Sequence, residues 1–176
     1  MAPISDGRRS AKSGSRNEGM FQKLLESYGF VELLPIQKRQ IERWGPDIST
    51  LPLRQFGHRW FICQARMFPS IFEDLEAGHE HKWKVDFFVY DSLRYKSGYV
   101  IECKYQDSPG SVDEKLPYTV QNLLTRKPAC LFMSGDGFTP RSKHWALKQN
   151  ARVGLDVVQS FEAMMRFMNE KFGHKQ

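Results

Sequence analysis

A mixed α/β fold, with a central β-sheet flanked by α-helices, is predicted by three features of the 176-residue sequence. Residues 84–106, KVDFFVYDSLRYKSGYVIECKYQ, carry two runs with the period-two alternation of paired strands. Downstream, helical and strand patterns alternate as helix, strand, helix, strand, helix. A hydrophobic content of 40% supplies enough apolar side chain for one domain-sized core.

In chain order, residues 1–17 lack apolar periodicity and read as a disordered basic tail, with Arg8, Arg9, Lys12 and Arg16 set against Asp6. Residues 18–176 read as a single domain. Met20, Phe21, Leu24, Leu25 and Tyr28 give an amphipathic helix that stops at Gly29. Glu18 lies in its first turn, where the helix dipole favours an acid. Residues 30–36 read as a short strand and 37–44 as a polar helical turn, with Gly45, Pro46 and Pro52 marking loops. Residues 54–67 resemble a strand, and 68–76 a short helix or loop. His79 and His81 read as an exposed loop pair, because no further ligands at metal-binding spacing accompany them.

Within residues 84–106, Val85, Phe87 and Val89 alternate with Asp86, Phe88 and Tyr90. Tyr99, Ile101 and Cys103 alternate with Val100, Glu102 and Lys104. The turn is expected over residues 92–98. A hairpin folded about Arg94 sets Asp86 opposite Glu102, with Cβ atoms roughly 5 Å apart. Like charges so placed repel unless something positive lies between them. A hard divalent cation meets that need: magnesium takes one or two carboxylates plus water and phosphate, and the Cys103 carbonyl offers a further oxygen. Lys104, two residues along on the same face, is placed to neutralise phosphate charge or orient an attacking water.

After the hairpin, Pro109 and Gly110 make a turn, and a helix begins either at a Ser111/Glu114 capping box or at Pro117. Its apolar face is Leu116, Val120, Leu123 and Leu124. Residues 129–134 are a buried strand. Thr139 and Pro140 open a helix as N-cap and first residue. That helix displays Arg141, Lys143, His144 and Lys148, the best candidates for nucleic-acid phosphate contacts. Residues 153–159 form a strand, and Ser160 caps a last helix with a stripe of Phe161, Met164, Met165, Met168 and Phe172.

The net charge of +6 favours an anionic partner, and the N-terminal tail supplies half of it. No apolar run approaches the roughly 18 residues of a membrane span, and no signal-peptide apolar region follows the N-terminus, so a cytoplasmic protein is expected. Cys63, Cys103 and Cys130 lack CxxC spacing, which argues for reduced thiols over disulfides or structural zinc.

A Glu or Asp two residues before Lys occurs about once by chance in a chain of this length; context distinguishes Glu102 and Lys104. With VDFFVYD and VIECKYQ, residues 18–159 resemble the PD-(D/E)XK, or restriction-endonuclease-like, nuclease superfamily in an αβββαβ order. The resemblance implies a magnesium-dependent nuclease, manganese substituting, in which Asp86 and Glu102 hold the metal and Lys104 serves hydrolysis. It implies that Glu18 or else Glu26, on the helix EGMFQKLLESYGF, completes the site, and that Gln106 is the polar residue many members place beside it. The proline usual before the first acid is Val85 here. The activity so implied is that of a DNA endonuclease of restriction or phage type, working as a homodimer or with a partner subunit for double-strand cutting. The alternatives are a structure-selective nicking or junction-resolving nuclease, and a non-catalytic DNA-binding module of the same fold.

Overall fold

The computed structural model describes residues 18–44, 53–69, 82–109, 112–152 and 154–173. The N-terminal tail, the loop carrying His79 and His81, and Ser111 lie outside the described residues. The elements are α1 (residues 18–27), β1 (Val31–Glu32), α2 (Pro35–Trp44), a 3-10 turn (Leu53–Phe56), β2 (Arg59–Pro69), β3 (Lys82–Asp91), β4 (Tyr95–Tyr105), α3 (Val112–Leu124), β5 (Ala129–Ser134), α4 (Pro140–Gln149), β6 (Leu155–Val158) and α5 (Phe161–Phe172). The six strands form one sheet in chain order. β1 and β2 are parallel, β2, β3 and β4 are successively antiparallel, and β4, β5 and β6 are parallel.

The crossovers β1-α2-β2, β4-α3-β5 and β5-α4-β6 all advance the same way across the sheet between strands of one orientation. With right-handed connections their helices must share one face. They do: Ile41 of α2, Leu116, Val120 and Leu123 of α3, and Ala146 of α4 pack in one apolar layer with Trp60, Ile62, Phe88 and Val100. The opposite layer holds Phe21 and Leu25 of α1 and Met164, Phe167, Met168 and Phe172 of α5, against Phe61, Phe87, Tyr99 and Ile101. α1-β2-β3-β4-α3-β5 is the αβββαβ core that the sequence predicts, in a restriction-endonuclease-like arrangement.

Several boundaries differ from the sequence expectations. The strand expected at 30–36 shortens to two residues because Pro35 opens α2 and the Gln37 side chain reaches back to accept the Leu34 N–H at 2.9 Å. β2 starts later than expected, after the 3-10 turn and Gly57, and runs through Phe68 and Pro69. The hairpin turn occupies only 92–94, since Asp91 Oδ1 accepts the Leu93 and Arg94 N–H groups at 2.9 and 3.2 Å. Gly98 falls inside β4 at φ +81°, where the Phe88 ring covers it; an added Cβ would meet that ring at 2.0 Å. Pro117 lies inside α3 rather than opening it. In α5 the buried face is Met164, Phe167, Met168 and Phe172, while Phe161, in the first turn, is 49% exposed. Thr139 and Ser160 cap their helices as expected, each accepting a backbone N–H three residues on.

One irregularity bears on the site. Ile62 and Ala65, three residues apart, pack in the same layer, and so do Phe88 and Val85 opposite them; Phe87 lies in the other layer. A regular strand returns to one face every second residue, so β2 and β3 slip together, at Gln64 and Asp86. Val85 therefore does not share a face with Phe87, contrary to strict alternation.

Candidate active site

The hairpin register is Phe87 opposite Ile101, Phe88 opposite Val100 and Val89 opposite Tyr99. Continued one residue, it sets Asp86 opposite Glu102, the register predicted by folding about Arg94. There the backbone ladder gives way to a side chain: Asp86 Oδ2 accepts the Cys103 N–H at 2.8 Å. Both acids are buried, Asp86 at 9% and Glu102 at 2% exposure. Glu102 stands toward the carboxyl end of β4, while Asp86 lies at the middle of β3, opposite the middle of β2.

Lys104 Nζ contacts Glu102 Oε2 at 2.5 Å. The other oxygen, Glu102 Oε1, is buried without a hydrogen-bond partner. Burial pushes the Glu102 carboxyl up to about 8; Lys104 opposes this and Asp86 adds to it. Burial alone would lower the Lys104 ammonium, but Glu102 and Asp86 outweigh it and hold the group above the ordinary lysine value.

Glu18 joins this group through an intermediary. The Gln64 amide nitrogen donates to Glu18 Oε2 at 3.0 Å and to Asp86 Oδ1 at 3.1 Å. Burial raises the Glu18 carboxyl, with Asp86 adding to the rise and Lys84, Lys104 and Gln64 opposing it. That direction is opposite to the effect of a helix N-terminus alone. Glu26 is exposed near the other end of α1, within reach of Gln22 at 3.4 Å. Of the two glutamates considered for the third acid, the fold brings Glu18 to Asp86.

The remaining sequence candidates are placed differently. Gln106 is buried beside the β5–α4 loop. Its side-chain amide donates to the Gly137 carbonyl at 2.8 Å, its backbone carbonyl accepts the Gly137 N–H at 2.7 Å, and its Oε1 is buried without a partner. Gly135, at φ +94°, allows that close approach, since a Cβ there would lie 2.3 Å from the Gln106 carbonyl. On α4, Arg141, His144 and Lys148 are exposed and Lys143 is half-buried. Arg141 lines a cleft of about 330 Å³ with Asp113, Glu114 and Trp145, so acids are among its neighbours.

Among the described residues, no three His, Cys, Asp or Glu side chains form a ready-made metal cage. Magnesium does not ask for one, being held through one or two carboxylates with water and phosphate completing its shell. Asp86 and Glu102 fit that demand: two adjacent buried acids, one with an oxygen that no protein N–H reaches. The Cys103 backbone faces the same side. Its N–H points to the Asp86 side of β4, and the carbonyl of an extended residue opens to the same side as its N–H.

Gln64 was missed by sequence reasoning, although it is the one polar residue in the run WFICQA, at the point where the strand's periodicity slips. Lys38, whose ammonium donates to the Cys63 and Gln64 carbonyls at 2.5 and 3.0 Å, carried no local signal at all.

No helix among the described residues is long and apolar enough to cross a membrane. No curated protein and no solved structure matches the chain significantly. A family model does: the PD-(D/E)XK nuclease superfamily domain matches residues 9–172, nearly the whole chain. With the αβββαβ core, and two acids and a lysine gathered on the paired strands β3 and β4, the chain belongs to the PD-(D/E)XK nuclease superfamily.

Proposed function

We propose that this nuclease is a magnesium-dependent DNA endonuclease of restriction or phage type, manganese substituting. The observation that carries the reading is the buried pair Asp86 and Glu102, with Lys104 bound to one Glu102 oxygen and the other unsatisfied. Asp86, Glu102 and the Cys103 carbonyl would hold the cation, with Glu18 at the margin of the site. When bound, magnesium supplies charge neutralisation at the scissile phosphate and makes water a better nucleophile.

The protein's own residues do the rest. Lys104, an ammonium tied to Glu102, orients the attacking water and stabilises negative charge that builds on the phosphate oxygens. Water adds to phosphorus in line with the leaving 3′ oxygen. The P–O3′ bond breaks, the water proton passes to the departing oxygen, and a 5′-phosphate and a 3′-hydroxyl result. Gln106 serves by fixing the loop 135–139 against the end of β4. Arg141, Lys143, His144 and Lys148 on α4 are the proposed contacts to the DNA backbone, and double-strand cutting calls for a second copy or a partner subunit.

Asp86→Asn keeps the shape of the side chain and an acceptor for the Cys103 N–H while removing its charge. Cleavage of a panel of duplex, nicked, branched and single-stranded DNA in magnesium or manganese is expected in the parent and absent in the variant, with DNA affinity retained. Cleavage by the variant at the parent rate would sink the assignment of the site. Binding throughout the panel without cutting by the parent would make the chain a DNA-binding module of this fold, and cutting confined to nicked or branched DNA would make it structure-selective.

A further inference from the structure

Gln64 combines three features that no other described residue shares. It lies between the pairs Cys63–Phe87 and Ala65–Val85, hence opposite Asp86. Its φ is +54°, the left-handed region, and among the described residues it is the one non-glycine residue with positive φ. Its amide nitrogen donates to two acids on two different elements, Glu18 of α1 and Asp86 of β3. The amide orientation follows from those partners, because a flipped amide would set oxygen against carboxylate oxygen.

The strained backbone is fastened from outside the sheet. Lys38 on α2 donates to the carbonyls of both Cys63 and Gln64. A glycine would meet the backbone requirement with less strain. The presence of a glutamine is explained by what its amide touches. An amide bridges two carboxylates without adding charge, so it fixes their separation and leaves both able to attract a cation; a lysine there would compete with the cation.

We propose that Gln64, held by Lys38, is a positioning residue that sets the spacing of Glu18 and Asp86 and thereby the affinity of the site for a divalent cation. The proposal rests on the metal-dependent nuclease reading. Outer partners that orient metal ligands typically change metal affinity about 10–100-fold when removed.

The test uses the full chain with Mn²⁺ as the probe, measured by titration calorimetry, together with thermal unfolding in chelator and cleavage as a function of Mn²⁺. Gln64→Gly is expected to keep or raise the melting temperature, since it relieves the left-handed strain, while Mn²⁺ affinity falls about 10–100-fold. Its cleavage should need correspondingly more Mn²⁺ and reach nearly the parent rate at saturation. Gln64→Asn, which tolerates the left-handed region and keeps a shorter amide, should fall between glycine and the parent. Lys38→Met should lower both the melting temperature and Mn²⁺ affinity. Parent-like Mn²⁺ affinity in Gln64→Gly would overturn the proposal and leave the nuclease reading standing. A large fall in its melting temperature would assign Gln64 to the fold and overturn the proposal as well. A parent protein that binds no Mn²⁺ would overturn both readings together.

Discussion

Glu102→Gln should stabilise the metal-free protein, and its effect should depend on pH. Glu102 is only 2% exposed, and burial pushes its carboxyl from an ordinary value near 4.5 up to about 8. Since the folded value lies above the unfolded one, the folded state binds the proton more tightly. Between about pH 4.5 and 8 the folded chain therefore carries more protons than the unfolded chain, and stability falls as pH rises through that window. Above both values the ionised, buried carboxylate lowers folding stability by up to roughly 5 kcal/mol; below both it contributes nothing. Lys104, a quarter exposed, and the unpartnered Oε1 are the features that leave the charge incompletely compensated. Glutamine keeps an oxygen for Lys104 Nζ and cannot ionise. Urea unfolding in chelator at about pH 5 and about pH 8.5 should show the parent losing a few kcal/mol that Glu102→Gln retains, with little difference between them at the lower pH. Magnesium should stabilise the parent at the higher pH more than it stabilises the variant, which keeps Asp86 but lacks the second carboxylate. A variant no more stable than the parent at the higher pH would show that the carboxylate is compensated in the fold, and the argument that the site is built for a cation would lose its energetic basis.

Two further outcomes test other parts of the molecule. Phe172 is fully buried, with ring centroids 5.3 Å from Phe30, 5.5 Å from Tyr95 and Tyr99, and 6.0 Å from Phe167. Phe172→Ala should cost about 3–5 kcal/mol by denaturant unfolding, a loss below about 1 kcal/mol meaning that α5 does not seal this layer. Replacing Arg141 and Lys148 with glutamine should weaken DNA binding equally for all sequences and flatten the slope of log affinity against log salt by about 0.9 for each lost phosphate contact. An unchanged slope would move the DNA-binding face away from α4.

The hairpin shows how far local chemistry carries. Alternation on β4 puts Tyr99, Ile101 and Cys103 on one face, and they pack there. The register that sets Asp86 toward Glu102 is the one a midpoint at Arg94 gives. The turn itself centres on Leu93, with Asp91 opposite Tyr95, and a shift between Val89 and Asp91 makes up the difference. The register is legible because apolar faces that must be buried leave one pairing open, which the irregularity near the turn accommodates, and the alternation is legible because it is a local rule. The caps at Thr139 and Ser160 are legible for the same reason, each depending on one side chain and the N–H three residues later. Glu18 is visible as a helix-opening acid, and only its resemblance to a family helix points it toward the site.

The sequence by itself thus determined the sheet-and-helix order, the hairpin register and the types of group gathered on it. Tertiary structure decided the rest. α1 and β3 are brought together only by packing Phe21 and Leu25 against Phe87 and Phe61, which is what carries Glu18 to within one amide of Asp86. The joint slip of β2 and β3 at Gln64 and Asp86, 22 residues apart, and the hold of Lys38 on Gln64 across 26 residues are encoded by no local pattern. Such contacts are fixed by the simultaneous burial of two apolar layers on opposite sides of one sheet, a condition that exists only once the whole chain has folded.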